Sequence, residues 1–201
     1  MPRIPELSSG NAKPLPDTAM MCAPVGKFQG NDTMKLHDLS LLHGPAILAL
    51  NNQHETETSR LDEAGLASLL QMAFYAKGID EGKTALLIAL DQRAPYANPN
   101  FDWFKARYGS FIYIDRVIVS AEARGQGLAS ALYLDLFAAA SRAGQCRVVC
   151  EVNIDPPNPA SQAFHVVLGF EVVGEAKIHG GKKTVCYLEK PLKAVRTGHG
   201  G

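Results

Sequence analysis

Between residues 36 and 192 the apolar positions group into short runs that alternate between strand-like and helix-like patterns. The run PAILALNN is short and apolar and predicts a first strand. LDEAGLASLLQMA places Leu61, Leu66, Leu69 and Leu70 near helical spacing. FYAKGIDEGKTALLIALD predicts a hairpin, with GIDEG as its turn and TALLIAL as its second strand. FIYIDRVIVS is apolar on both faces, as a central strand is. GLASALYLDLFAAASRAG repeats Leu128, Leu132 and Leu136 every fourth residue, and Gly144 can stop that helix. RVVCEVNI predicts another buried strand. NPASQAFHVVLG predicts a helix with Asn158 as cap, Pro159 in its first turn and Gly169 as stop. FEVVGEA and KTVCYLE close the pattern as two strands. The expected class is α+β, one mixed central sheet flanked by helices.

The flanks read differently. Residues 1–35 carry Pro2, Pro5, Pro14, Pro16 and Pro24 among Ser, Gly and Asn, with no periodicity, and predict a disordered extension. Residues 193–201 end in GHGG and predict a flexible tail, leaving 36–192 as one domain.

Composition narrows the function classes. The 201 residues are 46% hydrophobic, as expected of a globular domain. The 20 basic and 20 acidic residues cancel, which argues against nucleic acid as the main partner. No apolar run is long enough to predict a membrane span. Cys22, Cys146, Cys150 and Cys186 have no C-x-x-C spacing and no histidine cluster. No metal site is therefore expected. Cys146 and Cys150 flank a predicted strand and are expected to be buried thiols. The default compartment is cytoplasmic.

The candidate chemistry lies in RVIVSAEARGQGLASALY, Arg116 to Tyr133. A strand ends in an Arg-Gly-x-Gly loop that restarts at once as a helix. A helix N-terminus offers unpaired amides and the positive end of its dipole. Glycines at 125 and 127 let backbone approach a ligand, and Arg124 adds charge, which suits a phosphate or pyrophosphate. A plain strand-to-helix turn is the other reading. A dinucleotide fingerprint needs a third glycine where Ser130 stands. A P-loop needs glycine where Lys77 stands.

The surrounding residues resemble the GNAT acetyltransferase superfamily. Its pyrophosphate motif, Arg/Gln-x-x-Gly-x-Gly/Ala, is matched by Arg124, Gly127 and Ala129. Its later Asn-x-x-Ala-x-x-(apolar)-Tyr motif and Leu-Gly-Phe are matched by Asn158, Ser161, Phe164, His165 and residues 168–170. Alanine and tyrosine are replaced, by Ser161 and His165. The strong resemblance covers Ile112 to Phe170.

The resemblance implies direct transfer of acetyl from acetyl-CoA, the co-substrate, to a primary amine. It implies that the strand before the loop is splayed from its neighbour, with Ile118 and Val119 offering main-chain groups to pantetheine. The amides of Arg124, Gly125, Gln126, Gly127, Leu128 and Ala129 would hold the pyrophosphate. Asn158 would act near the pantetheine, besides its local role as a cap. His165 stands where the family's tyrosine donates a proton to the thiolate. Its alternative is packing beside Phe164 with a bond to a backbone carbonyl.

The general base is open between Asp115 and Glu151, each of which interrupts an apolar strand. Alternation puts Asp115 and Arg116 on opposite faces and Glu151 and Asn153 on the same one.

For the acceptor, YANPNFDWFKARYGS holds Tyr96, Phe101, Trp103, Phe104 and Tyr108. They read as a pocket wall, a local core or a dimer contact. The basic loop KIHGGKK suits an acidic acceptor, CoA phosphates or a plain turn. Glu55 and Glu57 suit a cationic amine. The expected partners are a small-molecule or peptide amine and a second copy in a homodimer. Two other readings stand beside the enzyme: an acyl-CoA-binding sensor module without turnover, and a nucleotide-binding protein.

Overall fold

The computed structural model describes residues 34–193. The expected extension up to residue 33, the tail from 194 and Cys22 lie outside the described residues. In chain order the elements are β1 (Leu36–Asp38), α1 (Gly44–Gln53), α2 (Glu55–Thr58), α3 (Glu63–Met72), β2 (Ala73–Ile79), β3 (Ala85–Asp91) and α4 (Pro99–Lys105). There follow β4 (Ile112–Val119), α5 (Leu128–Arg142), β5 (Arg147–Asp155), α6 (Pro159–Val167), β6 (Glu171–Ile178) and β7 (Lys183–Pro191).

The strands form one sheet in the order β1-β2-β3-β4-β5-β7-β6. Among the described strands only β4 and β5 run parallel; the other neighbours are antiparallel. Alternating side chains send Ala85, Leu87 and Ala89 of β3 to one face and Leu86, Ile88 and Leu90 to the other. The first face packs on α5 through Leu128, Leu132, Tyr133 and Leu136. The second packs on α1, α3 and α4 through Ile47, Leu66, Phe101 and Phe104.

Two sequence expectations are corrected. PAILALNN is helical, within α1. Pro45 sits in its first turn, where the missing N–H costs nothing, and Ala and Leu are strong helix formers. Ile47 and Leu50, three apart, are its buried stripe. A run this short cannot separate the two periods. Cys146 is exposed, whereas Cys150 is buried as expected; Cys186 is buried too.

The aromatic segment contains a helix, α4. Asn98 caps it by accepting from Asn100 N and Phe101 N, and Pro99 follows. Phe101, Phe104 and Phe111 are fully buried. Phe101 and Phe104 of the segment are therefore local core, with Trp103 and Tyr108 packed partly buried against it, and Tyr96 is the segment's aromatic that reaches a cavity with the site's carboxylates.

Candidate active site

β4 and β5 pair only at Ile112↔Val148 and Tyr113↔Val149. Beyond that point β4 stays with β3 as far as Val119, and β5 stays with β7. Their facing edges are open, which is the expected splay.

A bulge sits at the mouth of the splay. On β4, Ile114 pairs with Ala89 and Arg116 with Ile88, so Asp115 is the extra residue. A bulge bends its strand and resets the alternation of side chains. Ile114 and Val117 consequently lie on the α5 face, while Arg116 pairs with Ile88, a residue of the opposite face. The expectation that Asp115 and Arg116 face opposite sides is corrected by this extra residue. They are ion-paired, Arg116 Nε donating to Asp115 Oδ2 at 2.6 Å, both side chains about 95% buried.

Asp115 has no free oxygen, because Tyr96 O–H donates to Oδ1. Arg116 Nη1 donates to Asn51 Oδ1 at 2.6 Å, anchoring the pair to buried Asn51 of α1. Asn51 also donates to Ser59 O.

Glu151 of β5 differs. Its Oε1 accepts from Tyr113 O–H at 3.0 Å and from Asn100 Nδ2 at 2.9 Å. Asn100 is held by Tyr187 O–H. Oε2 is buried and has no partner. Burial raises the carboxyl to about 7; the hydrogen bonds from Tyr113 and Asn100 oppose this and the charge of Asp115 adds to it. An ionisable group near neutrality with an empty oxygen can take a proton from a neutral-pH substrate. Asn153 lies beside Glu151 in two cavities, as alternation predicts.

His165 of α6 is spent inside the protein. Its Nδ1 lies 2.8 Å from Ser161 O, an oxygen that only accepts, so Nδ1 carries the proton. Nε2 then accepts from Tyr133 O–H of α5 at 2.9 Å. Burial lowers the imidazole pKa, which favours this neutral form.

The loop after β4 has the geometry of a cradle. Gly125 and Gly127 have φ of +75° and +77°, a region that disfavours any Cβ, and a Cβ at either would meet nothing within 4 Å. The N–H groups of residues 125–127 make no hydrogen bond to any described residue. Gly127 is the N-cap of α5 and brings no capping side chain, whereas Asp62, Asn98 and Asn158 cap α3, α4 and α6. The first amides of α5 therefore remain open. Arg124 lies 3.4 Å from His54 Nδ1 through Nη2. Asn158 accepts from Ser161 N at 3.1 Å and so is a cap.

Three adjoining cavities string these parts together. The first runs from Arg124 and Ala129 along Val117, Ile118 and Val119 to His165. The second shares Val117, Asn158 and His165 with it and reaches Glu151. The third shares Glu151, Asp115 and Arg116 with the second and ends at Tyr96, Asn98 and Lys183. Thr58 lines all three. Glu55 is exposed and lies within reach of Arg60, away from these walls, and the side chain of Glu57 is not described.

Residues 84–170 match the acetyltransferase (GNAT) family model. That segment is similar to a GNAT acetyltransferase domain over those residues. Solved structures share the fold. The ribosomal-protein-S18-alanine N-acetyltransferase of Escherichia coli has a TM-score of 0.59 at 15% identity, covering 83% of this chain and 99% of its own. A GNAT phosphinothricin acetyltransferase from Sinorhizobium meliloti, in complex with acetyl-CoA, has a TM-score of 0.59 at 19% identity, covering 79% and 88%. Ard1 from Thermoplasma volcanium has a TM-score of 0.62 at 13% identity, covering 79% and 97%. Curated proteins give no significant sequence match.

The GNAT segment holds the bulge, the cradle, Glu151 and His165. Asn51, Thr58 and Lys183, which complete the walls, lie outside it. Sequence reasoning named neither Tyr113 and Asn100 as partners of Glu151 nor Tyr133 as the partner of His165. Tyr113 was legible as a polar tip two residues before Asp115 on an apolar strand. Tyr133 and Asn51 gave no signal, because helical aromatics and amides are common.

Proposed function

We propose that this GNAT-like domain moves an acetyl group from acetyl-CoA to a primary amine by direct transfer, with Glu151 as the general base. The observation that carries this reading is the unpartnered, buried Oε2 of Glu151, in a cavity that adjoins the one along Val117–Val119 to the Gly125–Gly127 cradle.

The residues present fit the coenzyme. The open amides from Arg124 to Ala129 and the Arg124 guanidinium suit a pyrophosphate. The unpaired edge of β4 at Ile118 and Val119 suits the amide groups of pantetheine. Bound acetyl-CoA supplies the thioester carbonyl.

The acceptor meets the site at Glu151. Its ammonium gives one proton to Oε2, directly or through water; the freed lone pair attacks the carbonyl carbon as the C–S bond breaks, and the second N–H proton passes to the departing thiolate or to solvent. Tyr113 and Asn100 hold Oε1 so that Oε2 stays aimed. Asp115 serves as an anchor, fixing Arg116 and Tyr96. His165 has no proton to offer the cavity in its neutral form, so the thiolate leaves without imidazole acid; His165 acts by holding α6 to Tyr133. General-base catalysis of this kind contributes about 10²- to 10⁴-fold.

The test is the pH profile of thiol release from acetyl-CoA with an amine acceptor. Wild-type kcat/KM is expected to rise with pH to a plateau, with its midpoint near Glu151's value of about 7. Glu151→Gln is expected to lose the activity and the midpoint together. Retention of both in the variant rules out Glu151 as base.

A further inference from the structure

We infer that the acceptor of this site is a small zwitterion, an amine that also carries a carboxylate, with its amine at Glu151 and its carboxylate at Arg116 and Lys183. This rests on the acetyltransferase reading and goes one step beyond it, to the class of acceptor.

The third cavity has two unsatisfied charges of opposite sign. One is Glu151 Oε2, which has no partner. The other is Arg116. Its Nε is taken by Asp115 and its Nη1 by Asn51, but Nη2 makes no hydrogen bond to any described residue. Arg116 lines this cavity, with about 5% of its side chain exposed. Lys183, the first residue of β7, lines the same cavity and is in no ion pair among the described residues.

The charges decide the class. Asp115 and Arg116 neutralise one another as a pair, and both carboxylate oxygens of Asp115 are filled. Glu151 is therefore the one carboxylate here with an oxygen to spare. A polyamine would set its second cation against Arg116 and Lys183, with no acidic group left to receive it. A neutral amine would leave Nη2 without an acceptor once water is displaced from it, and an unpaired donor is costly where water is excluded, whereas half-exposed Lys183 adds charge at the rim. A carboxylate satisfies both, because it accepts from a guanidinium edge and an ammonium together. Asn153 and Asn98 add neutral partners along the wall.

The experiment compares acceptors that differ only at the carboxylate. Thiol release from acetyl-CoA is followed with the free protein amino acids, β-alanine and γ-aminobutyrate, each against its carboxamide, with spermidine and an alanine-leading peptide as further acceptors. The expected result is at least one free acid used with kcat/KM about tenfold or more above its amide, about 1.4 kcal/mol of discrimination. Lys183→Gln, a half-exposed change that spares the buried Arg116 pair, is expected to lower that ratio about fivefold or more, mainly through KM. Amides, spermidine or the peptide used as well as the acids overturn the acceptor class and leave the acetyltransferase reading standing. Acetyl-CoA bound but no member of the panel acetylated also overturns it. Failure to bind acetyl-CoA is a different result, which removes the underlying reading.

Discussion

Tyr113 of β4 donates its hydroxyl to Glu151 of β5 at 3.0 Å, at the last residue where those two strands still pair. The bond ties Glu151 to the hinge of the splay. It also stabilises the carboxylate against a burial that works the other way. Tyr113→Phe removes this support, so the Glu151 pKa is expected to climb above its present value of about 7. The rising limb of the kcat/KM profile is then expected to move to higher pH, with a similar plateau. An unmoved limb breaks the link between this bond and the titration.

Glu151 also sets a stability prediction. Its folded value, about 7, lies above the ordinary 4.5, so the fold favours the protonated form. The group is not penalised below the unfolded value. Its cost grows as pH rises from about 4.5 to 7 and is then constant, at about 3 kcal/mol from 1.36 kcal/mol per unit. Glu151→Gln removes a charge the site must desolvate. Urea melts of both proteins are expected to diverge across that window, the variant gaining stability relative to wild type. A gap that is flat or reversed with pH contradicts the burial argument.

The Tyr133–His165 contact is expected to behave as structure. His165→Phe strands the Tyr133 hydroxyl, which is fully buried, at a cost of about 1–3 kcal/mol. Tyr133→Phe, which removes the donor and leaves Nε2 unpaired, is expected to cost a similar amount. The double variant His165→Phe, Tyr133→Phe is expected to cost less than the sum of the two, since both polar atoms leave together. Thermal melts check this; additive losses show the two are not coupled.

Gly174 of β6 has a packing reason. A Cβ there would lie 2.5 Å from Trp103, which stacks on Tyr187 at 4.1 Å. Tyr187 in turn holds Asn100, the second partner of Glu151. Gly174→Val is expected to cost about 1–3 kcal/mol by overpacking, and to lower kcat through the displaced Asn100. Melting and turnover measured together check it; a stable variant with full activity contradicts the chain of contacts.

Much of this was legible in the sequence because it rests on local rules. The loop at Arg124–Ala129 joins two strong patterns, and its glycines carry the positive φ the turn needs. The carboxylates of Asp115 and Glu151 stood out because charge is expensive in a central strand. Their ranking did not, since it depends on who reaches them: Tyr96 and Arg116 fill Asp115, while Glu151 keeps one oxygen empty. The face of Arg116 was misread for one reason, a single extra residue in β4 that no periodicity announces. PAILALNN was misread because eight residues fit either period.

The most direct measurement is calorimetric titration of acetyl-CoA into the wild-type protein and Gly127→Glu, with ATP as control. The cradle predicts wild-type binding near micromolar, about −8 kcal/mol, with ATP silent. In the variant a negative side chain enters at φ +77°, and affinity is expected to fall by about a hundredfold or more, about 2.7 kcal/mol. Equal binding by the two proteins, or none by either, would contradict a coenzyme held at the start of α5.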